Sequence, residues 1–132
     1  MKTWPLLVLI SLDLHASELV RLDQVRIEAW NDQKKITLLI SQNCSVCEKQ
    51  LKILNDCAEA SAIQVLVDGE DETKLRRFIT RKKPPYSTYQ LTPALKEELR
   101  FSDKTPALSL KSSSGRTLLE GLQSCAVIKS RI

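Results

Sequence analysis

The segment KITLLISQNCSVCEKQL, residues 35–51, contains a strand pattern followed directly by a helix pattern. Residues 35–41 form an apolar run rich in β-branched side chains, which is typical of a strand covered on both faces. From Cys47 onward, apolar residues recur at helical spacing while charged residues point the other way. The pair Cys44 and Cys47, spaced C-x-x-C, is therefore predicted to lie where a buried strand ends and a helix begins.

This position gives the two cysteines different chemistry. Backbone N–H groups and the macrodipole at a helix N-terminus favour an anion, so we expect the thiol pKa of Cys44 to lie below the free value of about 8.5. The thiolate is the nucleophile in disulfide exchange. Cys47, one turn into the helix, is expected to be more buried and to close the disulfide. The sequence thus predicts a redox-active pair, with Cys44 and Cys47 as the catalytic residues.

Two simpler interpretations of the pair stay open. The first is a static structural disulfide between Cys44 and Cys47. The second is a zinc site completed by Cys57 and Cys125, although the spacing C-x2-C-x9-C-x67-C lacks a second paired knuckle. We predict neither a metal nor a cofactor.

Strands and helices alternate along the whole chain. The predicted strands and extended segments follow apolar or alternating patterns and lie at residues 24–30, 35–41, 62–67, 86–91, 107–111 and 116–120. The predicted helices carry apolar residues at helical spacing and lie at residues 47–58, 71–83, 92–100 and 121–128. This order predicts a single α/β domain, a sandwich with a mixed central sheet.

The apolar pattern also predicts which faces of the first strand and the last helix are buried. In the segment 24–30, Val25 and Ile27 share one face with an alanine. The last helix is predicted to begin at Gly121 and to bury Leu122, Val127 and Ile128.

Thr105-Pro106 immediately precedes the predicted strand 107–111. With the C-x-x-C motif between strand and helix, and with a Pro-initiated ββα unit at the end, the chain resembles the thioredoxin superfamily over residues 35–128. The resemblance implies a three-layer α/β sandwich and thiol:disulfide exchange with protein thiols or disulfides. It also implies a cis peptide bond before Pro106, with Thr105 offering its backbone to an extended substrate peptide. Thr at this position resembles the periplasmic disulfide isomerases.

Three features depart from the usual pattern of that superfamily. Asn43 precedes the pair where Trp or Phe is usual. The strand 35–41 contains no acidic residue that could accept a proton from Cys47, and Glu48 is expected to point out of the helix. The dipeptide Ser-Val between the cysteines matches no well-known redox class.

A second resemblance involves residues 62–83 and 90–110. These segments resemble periplasmic thioredoxin-like proteins of bacterial conjugative (type IV) secretion systems, some of which lack the cysteines. The alternative function is therefore a non-catalytic subunit of a secretion or conjugation apparatus. In that case the apparatus proteins are the partners, and the disulfide between Cys44 and Cys47 is structural.

The N-terminal residues MKTWPLLVLISLDLHAS, 1–17, resemble a signal peptide in their pattern. Lys2 supplies a positive charge, and an apolar run of about seven residues follows, the lower end for such a segment. The run is much shorter than the about 20 residues that span a bilayer, so no stable membrane insertion is expected. We predict a signal peptide at 1–16 and a periplasmic domain at 17–132. The alternative is a cytosolic protein that begins with a buried strand or helix.

Composition excludes several classes of protein. The chain has 132 residues and a net charge of +4, which is below what a dedicated nucleic-acid binder carries. Its single histidine, His15, lies in the predicted signal peptide, which excludes Ser-His-Asp triads and His-ligated metal sites from the mature protein. One predicted helix carries a basic cluster formed by Arg76, Arg77, Arg81, Lys82 and Lys83. The sequence has no Gly-rich loop and no series of aromatic residues interleaved with this cluster, so the cluster is interpreted as a solvated face and not as a nucleic-acid site. The functional alternative is that it binds an acidic partner protein.

The remaining cysteines, Cys57 and Cys125, give conflicting signals. In a thioredoxin-like arrangement they are offset by roughly 15 Å along two helices that run the same way. A disulfide needs Cα atoms within about 7 Å, which argues against a bond. An oxidising compartment argues for one. The sequence leaves this pairing open.

Overall fold

The computed structural model of the protein describes residues 18–132. The predicted signal peptide, 1–16, lies outside these described residues. The strands are β1 (Glu18–Val20), β2 (Ile27–Ala29), β3 (Ile36–Ser41), β4 (Ile63–Asp68), β5 (Ser87–Gln90), β6 (Ala107–Ser112) and β7 (Gly115–Glu120). The helices are α1 (Ser45–Asn55), α2 (Glu72–Lys82), α3 (Pro93–Glu98) and α4 (Cys125–Lys129), with a short 3-10 turn at Ala60–Ala62.

Five strands form one mixed sheet in the order β5-β4-β3-β6-β7. The first three are parallel to one another, because helices carry the chain back between them. Strands β6 and β7 form a hairpin that joins the other side of β3 in antiparallel direction. In the centre of the sheet, Leu38 lies opposite Val65 on one side and Leu108 on the other. The predicted α/β class with a mixed central sheet is confirmed.

The central strand β3 shows why the domain has three layers. Ile36, Leu38 and Ile40 point to one face, where they pack with buried residues of α1, α2 and α4. Leu39 points to the other face and packs with residues of α3 and β1. Every residue from Ile36 to Ile40 is buried, as expected of a strand covered on both sides. The sandwich therefore holds α1, with its cysteines, against one face of the sheet.

Two predictions about buried faces are wrong. Val25 is 95% exposed and Ile27 is 64% exposed, because β2 pairs with β1 in a separate two-stranded sheet and not with the central one. The last helix begins at Cys125 and not at Gly121, so that Leu122 and Val127 are exposed while Ile128 is buried. No helix among residues 18–132 has the length and apolar character needed to cross a bilayer.

Candidate active site

Cys44 is the N-cap residue of helix α1. The chain leaves β3 at Ser41 and turns through Asn43, whose φ of 57° lies in the left-handed region that Asn tolerates better than most residues. The backbone N–H of Cys47 donates to Sγ of Cys44 at 3.1 Å, a geometry usually provided by a Ser or Asp oxygen. The sulfur of Cys44 thus occupies the positive end of the helix dipole.

Cys44 and Cys47 form a disulfide, with their Cα atoms 5.2 Å apart. Cys47 is only 2% exposed, whereas Cys44 is half-buried. An incoming sulfur therefore has access to Cys44 and not to Cys47. This asymmetry is the one predicted from the position of the pair at the start of the helix.

The Thr105-Pro106 peptide lies beside this disulfide and is cis. The carbonyl oxygen and the hydroxyl oxygen of Thr105 each lie 3.8 Å from Sγ of Cys44. The hydroxyl also forms a 2.7 Å hydrogen bond with that of Ser41 at the end of β3. Pro106 is buried, and its carbonyl accepts a 2.8 Å hydrogen bond from the N–H of Gly121. The structure thus brings together all four residues that the sequence singled out, and adds Ser41.

A cavity of about 300 Å³ opens next to Cys44. It combines polar residues at the end of β3 and the start of α1 with the final turns of α2; its lining residues are Gln42, Asn43, Cys44, Ser45, Glu48, Phe78, Arg81 and Lys82. Glu48 and Lys82 form an ion pair across the cavity wall. The hydrogen bond and the charge of Lys82 hold the pKa of the Glu48 carboxyl below its usual range.

Proton transfer to or from Cys47 has no buried carboxylate to use within residues 18–132. The buried polar side chains there are Arg21, Thr37, Gln50, Gln64, Thr88 and Ser109. Glu48, next to Cys47 in sequence, is exposed. The sequence-based expectation that Glu48 points out of the helix is therefore confirmed.

The second disulfide joins Cys57 to Cys125, with Cα atoms 5.4 Å apart, so the geometric argument against this bond is wrong. The offset of 15 Å assumed that the last helix begins at Gly121. Instead, the chain before α4 extends along α1, where the amide of Gln50 donates to the carbonyl of Gln123 at 3.1 Å and accepts from its N–H at 2.7 Å. Cys125 consequently reaches the far end of α1.

The four cysteines thus lie in two pairs at opposite ends of one helix. Cys47 and Cys57 are ten residues apart, which corresponds to about 15 Å along a helix axis. No group of three or more Cys, His, Asp or Glu side chains within residues 18–132 is arranged to hold a metal ion. The four-cysteine zinc arrangement considered from the sequence is not formed.

Comparison with known proteins gives structural neighbours only, since no family model and no curated protein sequence matches the chain. An exposed lipoprotein thioredoxin of Streptococcus pneumoniae superposes with a TM-score of 0.67 at 17% identity, covering 86% of this chain and 94% of its own. A secreted disulfide oxidoreductase of Mycobacterium tuberculosis gives 0.62 at 15% identity, covering 90% and 96%. A thiol:disulfide interchange protein of Chlorobium tepidum gives 0.61 at 15% identity, covering 86% and 91%. Sheet order, layers and these superpositions agree that the chain has a thioredoxin-like fold.

Proposed function

We propose that this protein is a thiol:disulfide exchange enzyme that acts through Cys44 and Cys47. One observation carries the proposal: the half-buried sulfur of Cys44 caps α1 and lies 3.8 Å from the Thr105 carbonyl, while Cys47 is buried behind it. A thiol that attacks a substrate needs access from outside and a stabilised anion, whereas a resolving thiol must reach only the neighbouring mixed disulfide and can be buried. The structural neighbours described as thiol:disulfide interchange proteins support the same chemistry.

In the reduced protein, the Cys44 thiolate attacks one sulfur of a substrate disulfide. A bond forms between Sγ of Cys44 and that sulfur, the substrate S–S bond breaks, and the second substrate sulfur leaves as a thiolate. That thiolate takes the proton of the Cys47 thiol, and the resulting Cys47 thiolate attacks Sγ of Cys44, breaks the mixed disulfide and expels the first substrate sulfur as a thiolate. The substrate has gained two electrons and the protein has formed the Cys44–Cys47 disulfide. The same steps in reverse oxidise a substrate dithiol.

Thr105 is proposed to dock the substrate chain. It makes no backbone–backbone hydrogen bond within residues 18–132, although the strand that begins at Ala107 is fully paired. An extended segment can use such groups by adding itself as a short strand. Because the Thr105 carbonyl lies beside Sγ of Cys44, this pairing brings a substrate cysteine to the attacking sulfur. Pro106 fixes the backbone at this point.

The compartment belongs to the same proposal. The signal-peptide pattern of residues 1–16 supports export of the domain 17–132 to the periplasm, an oxidising compartment that suits two disulfides. Two of the structural neighbours are described as secreted or exposed proteins. N-terminal sequencing of the protein from a periplasmic fraction is expected to begin at Ser17. A chain that begins at Met1 contradicts export.

The test of the exchange function is a trapping experiment. Cys47→Ala removes the resolving thiol, so substrates are expected to remain attached to Cys44 as mixed disulfides that dithiothreitol releases. The matched control is Cys44→Ala, which keeps Cys47 but removes the accessible nucleophile, and it is expected to trap none. Equal capture by both variants, or no capture by either, contradicts the proposal.

A second candidate function is a non-catalytic subunit of a conjugation or secretion apparatus. The observation in its favour is that no carboxylate is buried near Cys47 among the described residues. In that case the Cys44–Cys47 disulfide resists dithiothreitol in the native protein, and Cys44→Ala/Cys47→Ala still co-purifies with apparatus proteins. The exchange enzyme is favoured instead if dithiothreitol readily reduces the Cys44–Cys47 disulfide in the native protein and if Cys44→Ala/Cys47→Ala loses function.

A further inference from the structure

Helix α2 carries basic residues on its outer face, and its last turns lie beside Cys44. Phe78, Arg81 and Lys82, from its last turns, line the 300 Å³ cavity that Cys44 also lines. Arg81 lines a second groove as well, which continues along α2 past Arg77. A chain bound at Cys44 can therefore extend from the cavity onto the outer face of α2.

The cations along this path differ in their partners. Lys82 is neutralised by Glu48, and Arg76 is neutralised by Glu72. Arg77 and Arg81 are exposed and have no carboxylate within 4.0 Å among residues 18–132, nor any side-chain hydrogen bond there. The path therefore carries uncompensated positive charge at these two positions.

Helix stability alone does not account for this arrangement. Arg81, in the last turn, interacts favourably with the helix dipole, but Arg77 lies a full turn earlier. The two arginines are spaced i,i+4, and like charges at this spacing destabilise a helix by about 0.2–0.5 kcal/mol. An anion bound between the two guanidinium groups offsets this repulsion.

We propose that the substrate of this enzyme is a protein whose reactive cysteine is flanked by acidic residues, which Arg81 and Arg77 bind. The proposal rests on the exchange function assigned to Cys44. Carboxylates of an extended segment match the two guanidinium groups, and the buried ring of Phe78 forms the apolar floor of the cavity.

A peptide fits this surface better than a nucleic acid does. Binding of single strands uses exposed aromatic rings on which bases stack. The aromatic residues of the described chain are all buried, namely Trp30, Phe78, Tyr86, Tyr89 and Phe101. The cavity at Cys44 has room for a few side chains. Beyond it, the cations form a single row along α2, which an extended peptide can follow.

The experiment compares two peptide disulfides with the reduced protein. In one peptide the cysteine is flanked on each side by two glutamates, and in the other by two glutamines. Protein reduced with dithiothreitol and freed of it reacts with each peptide dimer, forming the Cys44–Cys47 disulfide and releasing two peptide thiols. We expect the acidic peptide to react about 10-fold faster at low ionic strength. We expect that ratio to fall below about 3 at about 0.5 M NaCl.

Variants separate recognition from intrinsic reactivity. Arg77→Gln/Arg81→Gln is expected to bring the ratio of the two rate constants close to that seen at high salt. The matched control, Lys129→Gln/Arg131→Gln, removes two exposed positive charges near Cys125, at the far end of α1, and is expected to keep the ratio.

Each outcome has a separate meaning. If both peptides react but show no charge preference, or if the two double variants behave alike, the acidic-substrate proposal is wrong and the exchange function stands. If neither peptide reacts with the reduced protein, the exchange function fails first. If a single-stranded oligonucleotide of the same net charge binds more tightly than the acidic peptide at physiological salt, and Arg77→Gln/Arg81→Gln abolishes that binding, the basic row is a nucleic-acid site and the proposal is overturned.

Discussion

The two ends of helix α1 each hold a disulfide, and the two bonds differ in the properties that decide what a disulfide does. At the start, Cys44 caps the helix and bonds to Cys47, a sequence separation of 3. Past the end, Cys57 bonds to Cys125, a separation of 68. A helix N-terminus stabilises a thiolate and a C-terminus does not. A long closed loop removes much entropy from the unfolded chain and a short one removes little. These differences fit the proposal that the first bond exchanges with substrates, and they predict that the second bond stabilises the fold.

The largest effect that tests this comparison is on activity. Cys44→Ala removes the attacking sulfur, so reduction of a protein disulfide such as insulin is expected to fall to the uncatalysed background. Cys57→Ala/Cys125→Ala changes the opposite end of α1 and is expected to leave the rate within about twofold, as for distant independent sites. Turbidity of reduced insulin measures both. Loss of activity in a folded Cys57→Ala/Cys125→Ala variant contradicts the division of roles.

The next largest effect is on stability, where removal of the second disulfide is expected to cost more than removal of the first. The chain-entropy relation gives about 4 kcal/mol for the 68-residue separation and about 1.6 kcal/mol for the separation of 3. Urea unfolding of oxidised Cys57→Ala/Cys125→Ala is therefore expected to show the greater loss, compared with Cys44→Ala/Cys47→Ala. Equal losses in free energy of unfolding, or a greater loss at Cys44, contradict the assignment of the second bond to stabilisation.

The contrast also shows which features a sequence reveals. The position of Cys44 followed from a local pattern, a buried strand passing into an amphipathic helix, and the structure has the same junction. The N-caps Asp71 and Thr92 accept hydrogen bonds from the backbone N–H groups of Lys74 and Leu95, and both belong to the residue types that are preferred at this position. Such features depend on neighbours in the chain. They can be predicted without knowing the packing.

The Cys57–Cys125 bond depends on packing. Its geometry is set by the alignment of the segment before α4 along α1, which the amide of Gln50 fixes through the backbone of Gln123. No periodicity in residues 121–125 encodes that contact. The exposure of Val25 also depends on packing. The apolar pattern around Val25 is typical of a buried strand face, but this residue lies in the β1–β2 hairpin, outside the main sheet.

The cavity residues Arg81 and Lys82 could be predicted only in part. Their basic cluster is visible in the sequence, but its closeness to Cys44 is not. A signal exists in the topology, because right-handed crossovers place the helices after two successive parallel strands on the same face of the sheet. Applied to β3-α1-β4-α2, that rule predicts α2 beside α1.

A smaller effect compares the thiols at the two ends of α1. In Cys47→Ala, Cys44 is left as a free thiol at the helix N-terminus, and we expect its pKa to lie below about 8.5. In Cys125→Ala, Cys57 is left as a buried thiol beyond the C-terminus, where no such lowering is expected. The pH dependence of the iodoacetamide reaction rate gives both midpoints. A Cys44 midpoint at or above that of Cys57 leaves only a structural role for the first disulfide.

The smallest effect comes from the ion pair beside Cys44. Glu48→Gln removes a negative charge from the cavity wall and leaves the ammonium of Lys82 uncompensated. Both changes favour the Cys44 thiolate, so its alkylation midpoint is expected to move to lower pH. Because the pair is exposed, the rate near neutral pH is expected to rise by only about twofold, measured in the Cys47→Ala background.

The matched control for this last prediction is Glu72→Gln. Glu72 also pairs with a cation of α2, Arg76, but it lies at the start of that helix and outside the cavity that Cys44 lines. It is therefore expected to leave the Cys44 profile unchanged. Added salt is expected to remove the effect of Glu48→Gln, since it screens exposed charges. A slower Cys44 in Glu48→Gln, or the same change in both variants, would mean that the charges of α2 do not act on the reactive sulfur.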